Sequence, residues 1–278
     1  MRHPRAKKSL GQNFLVDESI TRRIVGALAP RAEETVVEIG PGRGALTSLL
    51  VERACRVVAV EYDRELVSLL RGRFALRENF SLVEADALTF DFCSAIEPAA
   101  RARVVANLPY NISTAILQRL FEQRRCVTEM ILMLQREVVE RITAPPGSTE
   151  RGYLTVLVEA HCDAEALFDV PPGAFHPVPK VWSTVARLRV SERRLDVEDE
   201  RLLWRIVSTG FAQRRKTIHN NLRAAPEDLR ARVESGGGAG VLLETAGVEP
   251  SRRAETLTLE EWVALARAIE SAQTSRVE

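Results

Sequence analysis

Thr35-Val36-Val37-Glu38-Ile39-Gly40-Pro41-Gly42-Arg43-Gly44-Ala45 is a short β-branched run that enters a glycine turn and leaves it on a helix-forming stretch. β-branched residues favour strands, and glycines allow the tight turn and close backbone approach that a nucleotide-type cofactor needs. The positions of Gly40, Gly42 and Ala45 fit the G-x-G-x-x-A pattern of strand–turn–helix cofactor loops. Outward from this stretch, apolar runs at residues 56–61, 81–84, 103–107 and 129–135 read as further strands. Amphipathic segments at 17–29, 44–53, 63–74 and 113–123 read as the helices between them. Near-continuous apolar strands alternating with helices predict an α/β domain with a mostly parallel sheet covered on both faces.

Residues 154–162 and 181–190 follow with no strong helix between them, which predicts two antiparallel strands at one edge of the sheet. The stretch from Val170-Pro171-Pro172-Gly173 to Pro177-Val178-Pro179 reads as their loop. Beyond residue 190, helical patterns take over at 199–211, 214–222, 226–233 and 259–272. The charge run 191–201 reads as a linker, and the glycine-rich stretch 235–240 as a flexible loop. The expected division is an α/β domain at 1–190, opened by a basic tail, and a small helical domain at 191–278.

The chain has 278 residues, 45% apolar and 28% charged, which suits a folded soluble protein. A net charge of +1 excludes a whole-surface nucleic-acid binder, so any such footprint is a local patch. Two patches qualify: Lys7 and Lys8 in the basic tail, and Arg214, Arg215 and Lys216 at a helix start. Cys55, Cys93, Cys126 and Cys162 form no C-x-x-C pair, so neither a metal site nor a disulfide framework is expected, and a reducing cytoplasm is the simple reading. The basic N-terminus has no apolar stretch behind it and is no secretory signal. No apolar run approaches the roughly 20 residues that span a bilayer.

The acids follow the strands. Glu61 closes the second strand, about where a carboxylate meets ribose hydroxyls, and Asp86 follows the third. The loop alone fits a dinucleotide or S-adenosylmethionine, since both carry adenosine. Charge favours the latter: a cationic sulfonium suits Glu38, Glu61 and Asp86, whereas a pyrophosphate prefers fewer carboxylates. After the fourth strand come Asn107-Leu108-Pro109-Tyr110. Asn supplies an acceptor oxygen, Pro stiffens the turn, and Tyr offers a flat face to a base. Together they suggest group transfer to the exocyclic amine of a nucleobase.

The chain resembles the ribosomal RNA adenine dimethyltransferases, most closely the small-subunit branch. The likeness rests on Gly11-Gln12-Asn13-Phe14-Leu15, Glu38-Ile39-Gly40-Pro41-Gly42, Glu61-Tyr62-Asp63, Asp86-Ala87, Asn107-Leu108-Pro109-Tyr110, Phe175-His176-Pro177-Val178-Pro179-Lys180 and Gln213-Arg214-Arg215-Lys216. It implies a Rossmann-like, S-adenosylmethionine-dependent methyltransferase domain with an antiparallel edge and a small C-terminal helical domain. It implies cofactor contacts at Asn13, Leu15, Gly40, Gly42, Glu61, Asp86 and Asn107. It also implies dimethylation of two adjacent adenosines in the 3′-terminal hairpin of small-subunit rRNA, within an assembling 30S particle.

Asn107 Oδ1 and the Leu108 carbonyl are the natural acceptors for the adenine amine, with Pro109 shaping the turn and Tyr110 stacking on the base. Phe175, in a proline-framed loop, is the candidate for a second stacking aromatic. A cytoplasmic monomer is expected. The competing readings are an Erm-like large-subunit rRNA methyltransferase, an assembly factor whose binding outweighs its catalysis, and a nicotinamide dehydrogenase.

Overall fold

The computed structural model describes residues 4–54, 56–191 and 195–274. Residues 1–3 of the basic tail, Cys55, and Glu192, Arg193 and Arg194 of the expected linker lie outside the described residues. By internal contacts the chain divides into two units, Met1–Val139 with Cys162–Val190, and Glu140–His161 with Ser191–Glu278. The sequence reading put a single boundary at 190/191. Residues 140–161, assigned there to the α/β domain, group instead with the helical unit.

In the first unit a short β1 (Phe14–Leu15) precedes α1 (Glu18–Leu28), β2 (Thr35–Ile39), α2 (Ala45–Leu50), β3 (Arg56–Glu61) and α3 (Arg64–Arg73). Then come β4 (Phe80–Glu84), α4 (Phe92–Ala95), β5 (Ala102–Asn107), α5 (Ser113–Glu122), β6 (Val127–Gln135), β7 (Cys162–Val170), β8 (Phe175–His176) and β9 (Ser183–Val190). The main sheet has the order β4-β3-β2-β5-β6-β9-β7. Its first five strands are parallel, and β9 runs antiparallel between β6 and β7. This is a Rossmann-like doubly wound sheet with an antiparallel edge. All five residues of β2 are buried, Thr35 and Glu38 with the three apolar ones, so the strand is covered on both faces. Aspartates start the helices: Asp17 accepts the Ser19 and Ile20 N–H groups at α1, and Asp63 accepts that of Glu65 at α3.

The antiparallel edge forms from different residues than expected. Of residues 154–162 only Cys162 lies in a strand: α7 (Tyr153–His161) is a helix that buries Leu154, Val156, Leu157, Val158 and Ala160. A helix buried nearly all round shows an unbroken apolar run, which periodicity cannot tell from a buried strand. The edge strand is β7, where Asp163, Glu165 and Asp169 face outward and mask the pattern. The cysteines also depart from expectation, because Cys93 and Cys126, 33 positions apart, are joined by a disulfide. Pairing of β5 with β6 brings Val127 opposite Ala102, and the Gln123 side chain ties the same corner by accepting the Phe92 N–H at 2.7 Å and donating to the Phe90 carbonyl at 2.8 Å.

The second unit is helical. α6 (Arg136–Ile142) runs into it, followed by α7, α8 (Glu200–Phe211), α9 (Ile218–Arg223), α10 (Glu227–Ser235), α11 (Ala239–Thr245) and α12 (Leu259–Thr274). Its core gathers Leu203, Ile206, Leu222, Leu243, Leu265 and Ile269 around the fully buried Trp262. Arg151, 1% exposed, donates to the carbonyls of Leu257 and Ala144 and to Glu159. The glycine-rich stretch is less loop than expected: Gly238, at φ +92°, starts α11. Among the described residues no helix is long and apolar enough to cross a membrane.

Gly44 joins the glycine turn to α2 at φ +82°, and a Cβ there would lie 2.9 Å from the Phe74 ring. Gly44→Ala is expected to lower the unfolding free energy by about 1–3 kcal/mol, read by urea denaturation. An unchanged midpoint would contradict this packing.

Candidate active site

The chain runs from β2 outward through β3 and β4, then returns to add β5 on the other side of β2. The sequence order therefore reverses between β2 and β5, and open α/β sheets bind ligands at the C-terminal strand ends of such a switch point. A cavity of about 300 Å³ lies there, at the lower end of the roughly 300–1,000 Å³ usual for small-molecule sites. Gly40 and Gly42 after β2, Glu61 and Tyr62 at the end of β3, Asp86 after β4 and Asn107 to Tyr110 after β5 line it.

The turn after β2 is held by the end of β3. Gly40 donates its N–H to the Val60 carbonyl at 2.9 Å, and Gly42 donates to Glu61 Oε2 at 3.1 Å. Gly40 stands at φ +65° with open space where a Cβ would project, so the turn presents bare backbone to the cavity. Glu61 Oε1 accepts the N–H groups of Tyr62 and Asp63, both at 2.9 Å. Oε2 has one of these donors and keeps acceptor capacity. Burial pushes the Glu61 carboxyl up, while the three N–H groups pull it back.

Glu38 is 1% exposed and accepts the Thr47 hydroxyl at 2.6 Å. Burial, opposed by that hydrogen bond and reinforced by Glu61, pushes its carboxyl up to about 7. At neutral pH it therefore carries less negative charge than its residue type implies. Asp86 is exposed, and its Oδ1 accepts the Leu88 N–H at 2.9 Å.

A segment before β1 closes one wall of the cavity. The Lys7 ammonium lies 2.7 Å from Asp63 and 3.0 Å from Glu65, and Gln12 Nε2 donates to Asp63 at 3.0 Å. Burial works against the Asp63 charge, but Lys7 and Gln12 outweigh it and hold the carboxyl below its usual range. Gly11, at φ +62°, passes so close to the turn after β5 that a Cβ would sit 2.7 Å from Asn111 Oδ1. Asn107 then donates its side-chain N–H to the Asn13 carbonyl at 3.1 Å. That fixes the amide and leaves Oδ1 without a donor among the described residues. Leu108 gives its N–H to the Met133 carbonyl at 3.2 Å, and no described group donates to its own carbonyl. The Tyr110 hydroxyl meets Ser183 Oγ at 2.7 Å.

Asn13, Leu15, Gly40, Gly42, Glu61, Asp86 and Asn107 all line this one cavity, together with Leu108, Pro109 and Tyr110. Phe175 does not: it is 2% exposed, paired opposite Leu15 and packed in the core of the first unit. Its apolar β8 position serves packing, so the expected second stacking face is not there. Lys7 is spent on Asp63 and Glu65, which corrects its reading as a phosphate contact, while Lys8 is exposed. In the second unit, Arg214, Arg215 and Lys216 lie in the turn before α9 rather than on a helix start. Arg214 donates to the carbonyls of Thr149 and Arg151, and Arg215 and Lys216 are exposed. Sequence reasoning missed Gln12, Thr47 and Asp63 as site residues. Gln12 and Asp63 belong to motifs already singled out, but pairing across 51 residues leaves no local signal.

A family model for ribosomal RNA adenine dimethylases matches residues 3–265 of the chain. The ribosomal RNA small subunit methyltransferase A of Pseudomonas aeruginosa is 43% identical over 265 residues, covering 94% of each chain. Among solved structures, a dimethyladenosine transferase from Plasmodium falciparum is similar at TM-score 0.81 and 23% identity, over 94% of this chain and 98% of that one. The 23S rRNA methyltransferase ErmE is similar at TM-score 0.69 and 28% identity, over 93% of this chain and 100% of that one.

Two outcomes are expected from the geometry. Glu38 has a folded pKa of about 7 against an ordinary 4.5, so its favourable contribution is complete below 4.5 and lost as pH rises through 7. Glu38→Gln removes that loss, and from pH 4.5 to 7 its unfolding free energy should gain on wild type by on the order of 3 kcal/mol. A pH-independent difference would contradict the buried carboxyl. The double variant Lys7→Ala with Gln12→Ala should raise hydrogen exchange in residues 7–12 by about tenfold, leaving α3 protected. Unchanged exchange would show that Asp63 does not hold the segment.

Proposed function

The chain belongs to the ribosomal RNA adenine dimethylase family, and from that we propose that it transfers methyl groups from S-adenosylmethionine to N6 of two adjacent adenosines in the 3′-terminal hairpin of small-subunit rRNA. The observation that carries this reading is Asn107: its amide is fixed on the Asn13 carbonyl, leaving an acceptor oxygen beside the free Leu108 carbonyl at the wall of the glycine-turn cavity.

The cavity fits the cofactor. Bare backbone at Gly40 leaves room for the methionine part, Glu61 Oε2 can still accept ribose hydroxyls, and Asp86 lies where an adenine amine can donate. A diphosphate would bring its charge against the buried Glu61 carboxylate, which no cation pairs among the described residues. When bound, S-adenosylmethionine supplies a methyl carbon made electrophilic by its sulfonium.

The chain's own groups prepare the nucleophile. The adenine N6 lone pair is delocalised into the ring. Donating its two N–H bonds to Asn107 Oδ1 and the Leu108 carbonyl draws the nitrogen toward a tetrahedral shape. Tyr110, steadied by Ser183, stacks on the flipped base. Fixed orientation of this kind is worth up to roughly 7–11 kcal/mol. As the nitrogen–carbon bond forms, the donor's carbon–sulfur bond would break and the sulfur leave as a neutral thioether; N6 becomes cationic and releases a proton to water, so no strong base is needed. The monomethylated amine keeps one N–H and re-enters for the second transfer.

The partner in this reading is rRNA within an assembling 30S particle, met by a cytoplasmic monomer through Lys8, Arg215 and Lys216. Likeness to ErmE, named for 23S rRNA, makes the large subunit the alternative target. Purified protein with labelled S-adenosylmethionine should label immature small subunits and not large ones, with N6,N6-dimethyladenosine at adjacent positions. Asn107→Ala should lower the rate by on the order of 100-fold without shifting Tm. Label confined to large subunits, or a wild-type rate for the variant, would overturn the assignment.

A further inference from the structure

Three of the seven large apolar side chains that are exposed among the described residues fall within residues 178–182: Val178 at 63%, Val181 at 42% and Trp182 at 47%. Such a cluster on an otherwise polar surface marks a contact site. Lys180 is exposed between them and has no carboxylate partner among the described residues. His176 and Pro177 are exposed as well.

Both ends of this loop are fixed to residues of the cavity. On one side β8 pairs with β1, His176 opposite Phe14 and Phe175 opposite Leu15, and both β1 residues line the cavity. On the other side the Trp182 carbonyl accepts the Arg136 N–H at 3.0 Å, and the next residue, Ser183, is buried with its hydroxyl on Tyr110. Trp182 is thus exposed one residue from the group that steadies the stacking tyrosine.

We propose that Trp182, with Val178, Val181 and Lys180, is a stacking platform for an unpaired nucleotide that flanks the target adenosine. The proposal rests on the RNA methyl-transfer reading. A strand that delivers one base to Tyr110 must lay its neighbours on the adjoining surface. There an exposed indole offers a stacking face of no base preference, and an unpaired ammonium offers a phosphate contact. A protein partner would find apolar surface in the same place, but the unpaired lysine and the continuity with a base pocket favour nucleic acid.

The three tryptophans make the platform directly readable, because Trp262 is fully buried, Trp204 is packed against Tyr153 and His161, and Trp182 is the exposed one. The probe is a protein-free, unmodified RNA hairpin with two unpaired adenosines in its loop, titrated into the full chain. Wild-type emission should be quenched on binding, and the quench should be absent from Trp182→Ala. That variant should raise the KM for the hairpin about tenfold, with Trp182→Phe restoring it and the Kd for S-adenosylmethionine unchanged. If wild type methylates the hairpin while Trp182→Ala shows the same KM and the wild type shows no quench, the platform is wrong and the methyl-transfer reading stands. If wild type shows the quench but methylates neither hairpin nor particles, the platform stands as an RNA contact and the methyl-transfer reading falls. A Trp182→Ala defect seen only on particles, with the protein-free hairpin bound normally, would assign the patch to a protein and overturn the proposal.

Discussion

One buried carboxylate, Glu61, holds the parts of the cavity together. Its two oxygens collect backbone N–H groups from the glycine turn after β2 and from the turn after β3. Two residues on, Asp63 caps α3 and anchors Lys7 and Gln12. The segment so anchored carries Asn13, whose carbonyl fixes the Asn107 amide after β5. A linked path therefore runs across the cavity from the glycine turn and Glu61, through Asp63 and the Gln12–Asn13 stretch, to Asn107. Burying the Glu61 charge is unfavourable, and three N–H donors offset part of that cost, the carboxyl staying above its usual range. A ligand hydroxyl bound at Oε2 thus acts on a group that already organises the backbone around it.

The same geometry separates two kinds of acid. Glu38 lies beneath the turn with one hydroxyl partner and is pushed toward the neutral form. Asp63 has a cation and an amide and is held in the charged form. Two carboxylates thereby do different work: Glu38 packs with Thr47 under the turn, and Asp63 keeps a charge to hold the Lys7–Gln12 stretch in place.

Much of this was legible in the sequence because buried parallel strands write themselves as near-continuous apolar runs. β2, β3, β5 and β6 each hold such a run, and residues at the ends of β2, β3 and β5 line the cavity. α7 was illegible for the matching reason, since Leu154, Val156, Leu157 and Val158 are buried on every side of the helix. β7 was hidden by its outward Asp163 and Glu165, and α11 by the glycines at its start. Contacts between distant residues left no trace at all. Lys7 reads as a surface cation until the fold sets it against Asp63, 56 residues away, and Cys93 reads as unpaired until the fold brings α4 against the turn that carries Cys126, 33 positions on. Phe175 was assigned by its proline frame, yet its place opposite Leu15 puts it in the core.

If Asn107 and Leu108 present acceptors to an amine opposite a methyl donor lodged at the glycine turn, a crystal structure with S-adenosylhomocysteine and adenosine will reveal it. The adenine amino nitrogen should lie about 3 Å from both Asn107 Oδ1 and the Leu108 carbonyl, with the ring against Tyr110 and the sulfur facing that nitrogen. An adenine ring seated elsewhere, or a sulfur turned away from Asn107, would refute this arrangement.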